Sequence, residues 1–171
     1  MWNWVKAGIV EAFITPGGHH RIPRAALEKL LITAPYPIKK PKRAILIVDD
    51  DPFILDTFKK RLDRDGFIVY TASDGFTAGL KVLQKKPDLI LLDLFMDGID
   101  GFEVCRAIKQ NPDLKSIIVI AMTGHHSPEN KAAIMKEGAD DYLPKTVSFS
   151  TVLKCVNSFF RTREVTNEQH V

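Results

Sequence analysis

Asp93 follows directly on the apolar run Asp88-Leu89-Ile90-Leu91-Leu92, and a second apolar run, Ala44–Val48, leads straight into Asp49-Asp50-Asp51. Both runs read as buried strands, so each strand ends on carboxylates. If the two strands are neighbours, Asp49, Asp50 and Asp93 meet at one edge, where like charges repel and raise one another's pKa. A hard divalent cation removes the conflict. Mg²⁺ takes oxygen ligands, keeps several waters and is held by one or two carboxylates. Asp50 or Asp51 also has a second reading, as the N-cap of a helix starting at Pro52. Two more apolar runs end on groups of another kind: Ile117–Met122 leads to Thr123-Gly124, and Asp141–Leu143 to Pro144-Lys145. Carboxylate, divalent cation, hydroxyl and ammonium together are the parts of phosphoryl transfer. The cation and Lys145 neutralise phosphoryl charge, Thr123 bonds an oxygen, and Asp93 attacks. No one of these residues carries that reading, but four at successive strand ends do.

The elements that must position them alternate. After Ala44–Val48, residues Pro52–Asp65 have helical spacing (Phe53, Leu55, Phe58, Leu62), with Pro52 in the permitted first turn and Gly66 as the stop. Phe67–Ala72 predicts a strand, Asp74–Lys86 a helix ended by Pro87, Asp88–Leu92 a strand and Phe102–Gln110 a helix halted at Asn111-Pro112. Ile117–Met122 predicts the fourth strand, and Ser127–Glu137 a helix with Ser127 as N-cap and Gly138 as stop. Asp141–Leu143 is a brief fifth strand, and Ser148–Arg161 the last helix. Five strands alternating with five helices imply a parallel sheet covered on both faces. The functional crevice of such a sheet lies beyond the carboxyl ends of its strands.

A chain of 171 residues, 45% apolar and 26% charged, suits one domain of ~100–150 residues plus an appendage. No apolar stretch approaches the ~20 residues of a membrane helix. The opening MWNWVKAGIVEAFITPGG is broken by Lys6 and Glu11 and has no small-residue cleavage site, so it is not read as a signal peptide. Cys105 and Cys155 make neither a disulfide framework nor a metal site and read as small buried hydrophobes of a reducing cytoplasm. Charge is uneven. Residues 1–43 carry eight Lys/Arg against Glu11 and Glu28, whereas residues 44–171 carry sixteen against nineteen acids. A basic head on an acidic body points the head toward a polyanion. Between them, residues 33–42 hold three prolines and three lysines and read as an extended linker.

The motifs Ile45-Leu-Ile-Val-Asp-Asp-Asp-Pro52, Leu92-Asp-Leu-Phe-Met-Asp-Gly-Ile-Asp-Gly101, Ile120-Ala-Met-Thr-Gly124 and Gly138-Ala-Asp-Asp-Tyr-Leu-Pro-Lys145 resemble those of response-regulator receiver domains. The resemblance covers residues 43–163 and leaves 164–171 as a tail. It implies a flavodoxin-like (βα)5 fold with strand order 2-1-3-4-5. It implies that Asp93 is the phosphoacceptor, taking a phosphoryl group from a sensor histidine kinase or phosphotransfer protein. Asp49 and Asp50 would then hold Mg²⁺ with Asp93 and the Phe95 backbone carbonyl. Thr123 would be the switch hydroxyl, Tyr142 the switch aromatic and Lys145 the phosphoryl ligand. The implied protein is a two-component signalling switch and not an enzyme, beyond Mg²⁺-dependent self-phosphorylation and autodephosphorylation. A homodimer through the face from strand four to strand five is also implied. Two positions depart from the family: Asp97 and Thr146 stand where proline is usual. The second proline normally follows a cis bond, so Lys145–Thr146 is either strained or trans. Asp100-Gly101 reads as the turn into the third helix, and His125 and His126 as exposed loop residues.

Thr15-Pro-Gly-Gly-His-His-Arg-Ile-Pro-Arg24 resembles the wing of MerR-type or excisionase-like winged helix-turn-helix domains, with His20 in place of an arginine. In this reading residues 1–32 form a partial unit: a helix at Trp2–Ala7, a hairpin of Ile9–Thr15 and His19–Ile22, and a short helix at Ala25–Ile32. The helix and turn that precede these in the family are missing, which implies a truncated unit or a remnant put to other use. Lys6, His19, His20, Arg21 and Arg24 are the candidate DNA phosphate contacts. The whole then reads as a cytoplasmic, transcription-regulating response regulator, the alternative being a stand-alone receiver that signals by protein contact. A haloacid-dehalogenase phosphatase would need an acid/base aspartate where Phe95 stands, and a P-loop would need GxxxxGK; neither is present.

Overall fold

Parallel strands buried on both faces must be apolar at every position, and the runs that end in Asp49 and Asp93 meet that demand. The structure, a computed structural model, describes residues 11–26 and 42–168, with side chains through Thr162. Contacts divide the chain into two compact units, Met1–Pro41 and Lys42–Val171. In the first, β1 (Phe13–Ile14) pairs antiparallel with β2 (His20–Arg21), Phe13 opposite Arg21 and Ile14 opposite His20. Among the described residues the hairpin is shorter than its sequence predicts. Gly18 takes a φ of 75°, and its N–H donates to the Thr15 carbonyl at 2.8 Å, closing the turn. The predicted helix at Trp2–Ala7 and most of the linker lie outside the described residues.

The second unit is a flavodoxin-like α/β fold. Its strands β3 (Ala44–Val48), β4 (Ile68–Ala72), β5 (Leu89–Asp93), β6 (Ile118–Thr123) and β7 (Asp141–Pro144) form one parallel sheet in the order β4-β3-β5-β6-β7. Relative to the domain's own first strand this is the order 2-1-3-4-5. Side chains alternate across the sheet. Leu46, Val48, Ile90, Leu92, Val119 and Ala121 enter one core layer. Ile45, Ile47, Leu89, Leu91, Ile118 and Ile120 enter the other. The first layer packs against α2 (Gly75–Lys85), α3 (Gly101–Gln110) and α4 (Pro128–Lys136), the second against α1 (Pro52–Arg64) and α5 (Phe149–Glu168).

Each of the first four helices starts on a side-chain oxygen. Asp51 accepts from Phe53 N–H at 2.8 Å, Asp74 from Thr77 at 2.7 Å, Asp100 from Glu103 at 2.8 Å and Ser127 from Asn130 at 3.1 Å. Asp51, and not Asp50, is therefore the cap of α1. Gly66 and Gly138, at φ of 92° and 98°, turn the chain out of α1 and α4. Helix α5 continues to Glu168, past the Arg161 expected from sequence, because no glycine or proline interrupts residues 162–168. Cys105 is buried and Cys155 half-buried; burial pushes their thiols up to about 11 and about 12, which leaves them inert at neutral pH. No helix among the described residues is long and apolar enough to cross a membrane.

Candidate functional site

The register of the sheet assembles the carboxylates. Val48 of β3 lies opposite Leu92 of β5, so the next residues, Asp49 and Asp93, leave the two strands at the same level. Asp49 and Asp93 are buried and Asp50 is exposed, with one carboxylate oxygen from each within 4.8 Å of the others. The predicted cluster is thus formed, two of its members facing inward and one facing water.

Lys145 follows β7 and spans the gap. Its Nζ lies 2.7 Å from Asp49 Oδ2 and 2.9 Å from Asp93 Oδ2. Burial works against charge on Lys145, yet the Asp49 and Asp93 oxygens outweigh it and hold the ammonium above the ordinary lysine range. Burial pushes the Asp49 carboxyl above the usual carboxylate range, against the pull of Lys145 and of the Asp51 N–H, which donates to Asp49 Oδ1 at 3.0 Å. The Phe95 N–H points at Asp93 Oδ1 from 3.4 Å. No cis peptide bond occurs among the described residues, so Lys145–Thr146 is trans, and Lys145 still reaches Asp93.

Thr123 ends β6 fully buried, its Oγ1 accepting from the His125 N–H at 3.0 Å. Its carbonyl accepts from the Lys145 N–H at 2.8 Å, which ties the tips of β6 and β7. Tyr142 is buried on β7. Its hydroxyl lies 3.2 Å from His126 Nδ1, with the rings 5.5 Å apart. The Phe95 ring meets Phe102 at 6.1 Å and His125 at 5.2 Å, both edge-on. Both histidines are exposed as expected, but each makes a specific ring contact that sequence reasoning missed. Loop geometry sets those contacts, and no spacing in the sequence announces them. Of the basic head, His19, His20, Arg21 and Arg24 are all exposed, whereas Lys6 lies outside the described residues.

The donor set fits a hard cation: three carboxylates at one crevice, acceptors only, balanced in the structure by the single ammonium of Lys145. Residues 45–157 match the family model of the response regulator receiver domain. The chain belongs to the response regulator receiver family. Among its relatives, the response regulator MprA of Mycobacterium ulcerans (strain Agy99) is 30% identical over 125 residues, covering 73% of this chain and 53% of that protein. The alkaline phosphatase synthesis transcriptional regulatory protein PhoP of Bacillus subtilis (strain 168) is 36% identical over 123 residues, 72% of this chain and 50% of that protein. The chain spans about half the length of the curated relatives it matches. Among solved structures it is similar to the signal receiver domain of a DNA binding response regulator protein (merR) from Colwellia psychrerythraea 34H. That likeness has 34% identity and a TM-score of 0.67, covering 70% of this chain and 99% of that one.

The receiver's neighbouring aspartates separate by experiment. Asp51→Ala removes a helix cap and is expected to lower stability by about 1 kcal/mol in urea denaturation while leaving Mg²⁺ titration unchanged. Asp50→Asn, at an exposed position, is expected to leave stability unchanged; if the acidic cluster holds Mg²⁺, the same change weakens that binding by about ten-fold, ~1.4 kcal/mol. The reverse pattern would exchange the two roles.

Proposed function

We propose that the receiver accepts a phosphoryl group on Asp93 from a phosphohistidine of a sensor histidine kinase or phosphotransfer protein. An Asp93 carboxylate oxygen attacks phosphorus, the P–N bond breaks, and its electron pair returns to the imidazole; the product is an acyl phosphate. The observation that carries this reading is Lys145 Nζ held at 2.7 and 2.9 Å from Asp49 and Asp93 within a cluster of three carboxylates. Asp49, Asp50, Asp93 and the Phe95 carbonyl would hold Mg²⁺, which supplies charge neutralisation for the phosphoryl oxygens. Lys145 is already placed to add a second positive charge there. Phosphorylation adds ~1.5–2 negative charges at Asp93. Thr123 then turns to the new oxygens and Tyr142 follows, changing the β6–β7 face that a partner or second subunit reads.

The protein is read as a cytoplasmic transcriptional regulator whose output is DNA binding through residues 1–32. Its support is the exposed His19, His20, Arg21 and Arg24 on and beside a hairpin, the sequence likeness to a winged helix-turn-helix wing, and transcriptional regulators among the relatives. The site is tested by incubating the chain with acetyl phosphate and Mg²⁺, reducing the acyl phosphate with borohydride, and mapping the resulting homoserine by mass spectrometry. Homoserine is expected at position 93, and its appearance elsewhere overturns the assignment. The output is tested by measuring DNA affinity across salt concentrations. Binding that falls steeply as salt rises supports the head, since each phosphate contact releases a counterion, and its absence at low salt favours a stand-alone receiver.

A further inference from the structure

Away from the acidic crevice, α2 and α3 leave an apolar groove of about 400 Å³ between them. Phe76, Leu80 and Leu83 of α2 stand along it at 67%, 45% and 60% exposure, with Ile99 at 41% against Gly75 at the start of α2. Positions 76, 80 and 83 lie on one face of a helix, so they form an exposed apolar ridge beside the groove.

Two observations say what covers it. The first is Gly79 on the groove lining. A Cβ there would meet nothing within 4 Å, and the residue is not in the left-handed region. This receiver alone therefore has room for alanine, and a mid-helix glycine weakens α2 for no internal gain. Gly75, one turn earlier, is different: its Cβ would lie 2.6 Å from the Ile99 carbonyl. What a bare Cα at 79 does provide is close approach for another backbone. The second observation is charge. Both helices run in the same direction, and at their amino-terminal end stand Asp97, Asp100 and Glu103. At the carboxyl-terminal end Lys86 stands beside Leu83 and Leu114, on a lining it shares with Asp113 and with Asp88, whose carboxylate pairs with Arg43.

We propose that this face self-associates, the α2 of a second copy lying antiparallel over Gly79. The two-fold arrangement puts Phe76 of each copy against Leu83 of the other and seats each α2 ridge in the opposite groove. It also brings Lys86 of each copy to the acidic end marked by Glu103 of the other. The contact involves none of the residues at the acidic crevice, so it forms with or without phosphorylation and is separate from the β6–β7 face.

Sedimentation equilibrium of the full chain, without any phosphoryl donor, is expected to show a reversible dimer. Glu103→Lys and Lys86→Glu are each expected to weaken it by about ten-fold or more, because each places like charges together twice across the two-fold. Mixing the two variants in equal amounts is expected to restore association, since the heterodimer then pairs opposite charges at both ends. Gly79→Ala is expected to weaken the dimer while raising the thermal midpoint of the subunit, which a purely structural role would not do. A full chain that stays monomeric at submillimolar concentration overturns the proposal. So do a dimer that appears only on phosphorylation, one that Glu103→Lys leaves intact, and a variant mixture that fails to reassociate.

Discussion

Asp93→Asn is expected to reduce phosphoryl incorporation from acetyl phosphate or a phosphorylated kinase by on the order of 10³-fold, about 4 kcal/mol of transition-state stabilisation. A carboxamide oxygen is a far weaker nucleophile and cannot give the acyl phosphate. The substitution is also close to isosteric, at a position where a carboxylate is buried beside two others. Removing one negative charge relieves repulsion among the acids, while Lys145 keeps its 2.7 Å contact with Asp49. The variant is therefore expected to unfold in urea at the wild-type midpoint or slightly above it. Loss of labelling at unchanged stability assigns the effect to chemistry, and retained labelling would remove Asp93 from the reaction.

Gly101→Ala acts on the same aspartate from behind. A Cβ at position 101 would lie 2.1 Å from the Asp93 carbonyl oxygen, 2.7 Å from Leu94 Cα and 2.9 Å from the Asp93 carbonyl carbon. All three are backbone atoms, so no rotamer change relieves the clash. The N–H of Gly101 also donates to the Leu94 carbonyl at 3.1 Å, which pins the start of α3 against the end of β5. One methyl group must push these elements apart, an overpacking expected to lower stability by roughly 3 kcal/mol and the thermal midpoint by roughly 10 °C. In the molecules that remain folded Asp93 moves, and a shift of about 1 Å at a reacting group is enough to slow transfer by ~10²-fold. Calorimetry and acetyl-phosphate labelling of the folded variant check both effects. Gly79→Ala is the control of opposite sign, expected to stabilise the subunit by about 0.5–1 kcal/mol.

These two glycines show where sequence reading stops. Both sit in helical segments, and neither their type nor their neighbours reveals that one backs onto Asp93 while the other lines an open groove. The strands were legible because Leu89–Leu92 and Ile118–Ala121 are buried on both faces and tolerate no polar interruption. Their ends shifted by a residue because pairing decides them: Asp93 lies opposite Met122 and so belongs to β5. The meeting of Asp49 with Asp93 could be stated from sequence only on condition that their strands are adjacent, and the observed register meets that condition. Helix caps were legible at Ser127 and ambiguous at Asp50 and Asp51, which chemistry alone does not distinguish. The contacts of His126 with Tyr142 and of His125 with Phe95 join loop residues to distant positions, and no periodicity encodes them.

Thr123 has its carbonyl fastened to the Lys145 N–H and its side chain sealed from solvent. With its main chain held, rotation about χ1 is the freedom left to its hydroxyl, and a β-branched residue occupies only a few staggered wells. Any message passing through this residue is consequently quantised. Intermediate degrees of signalling in a population would reflect the fraction of molecules that have jumped, never a side chain parked halfway.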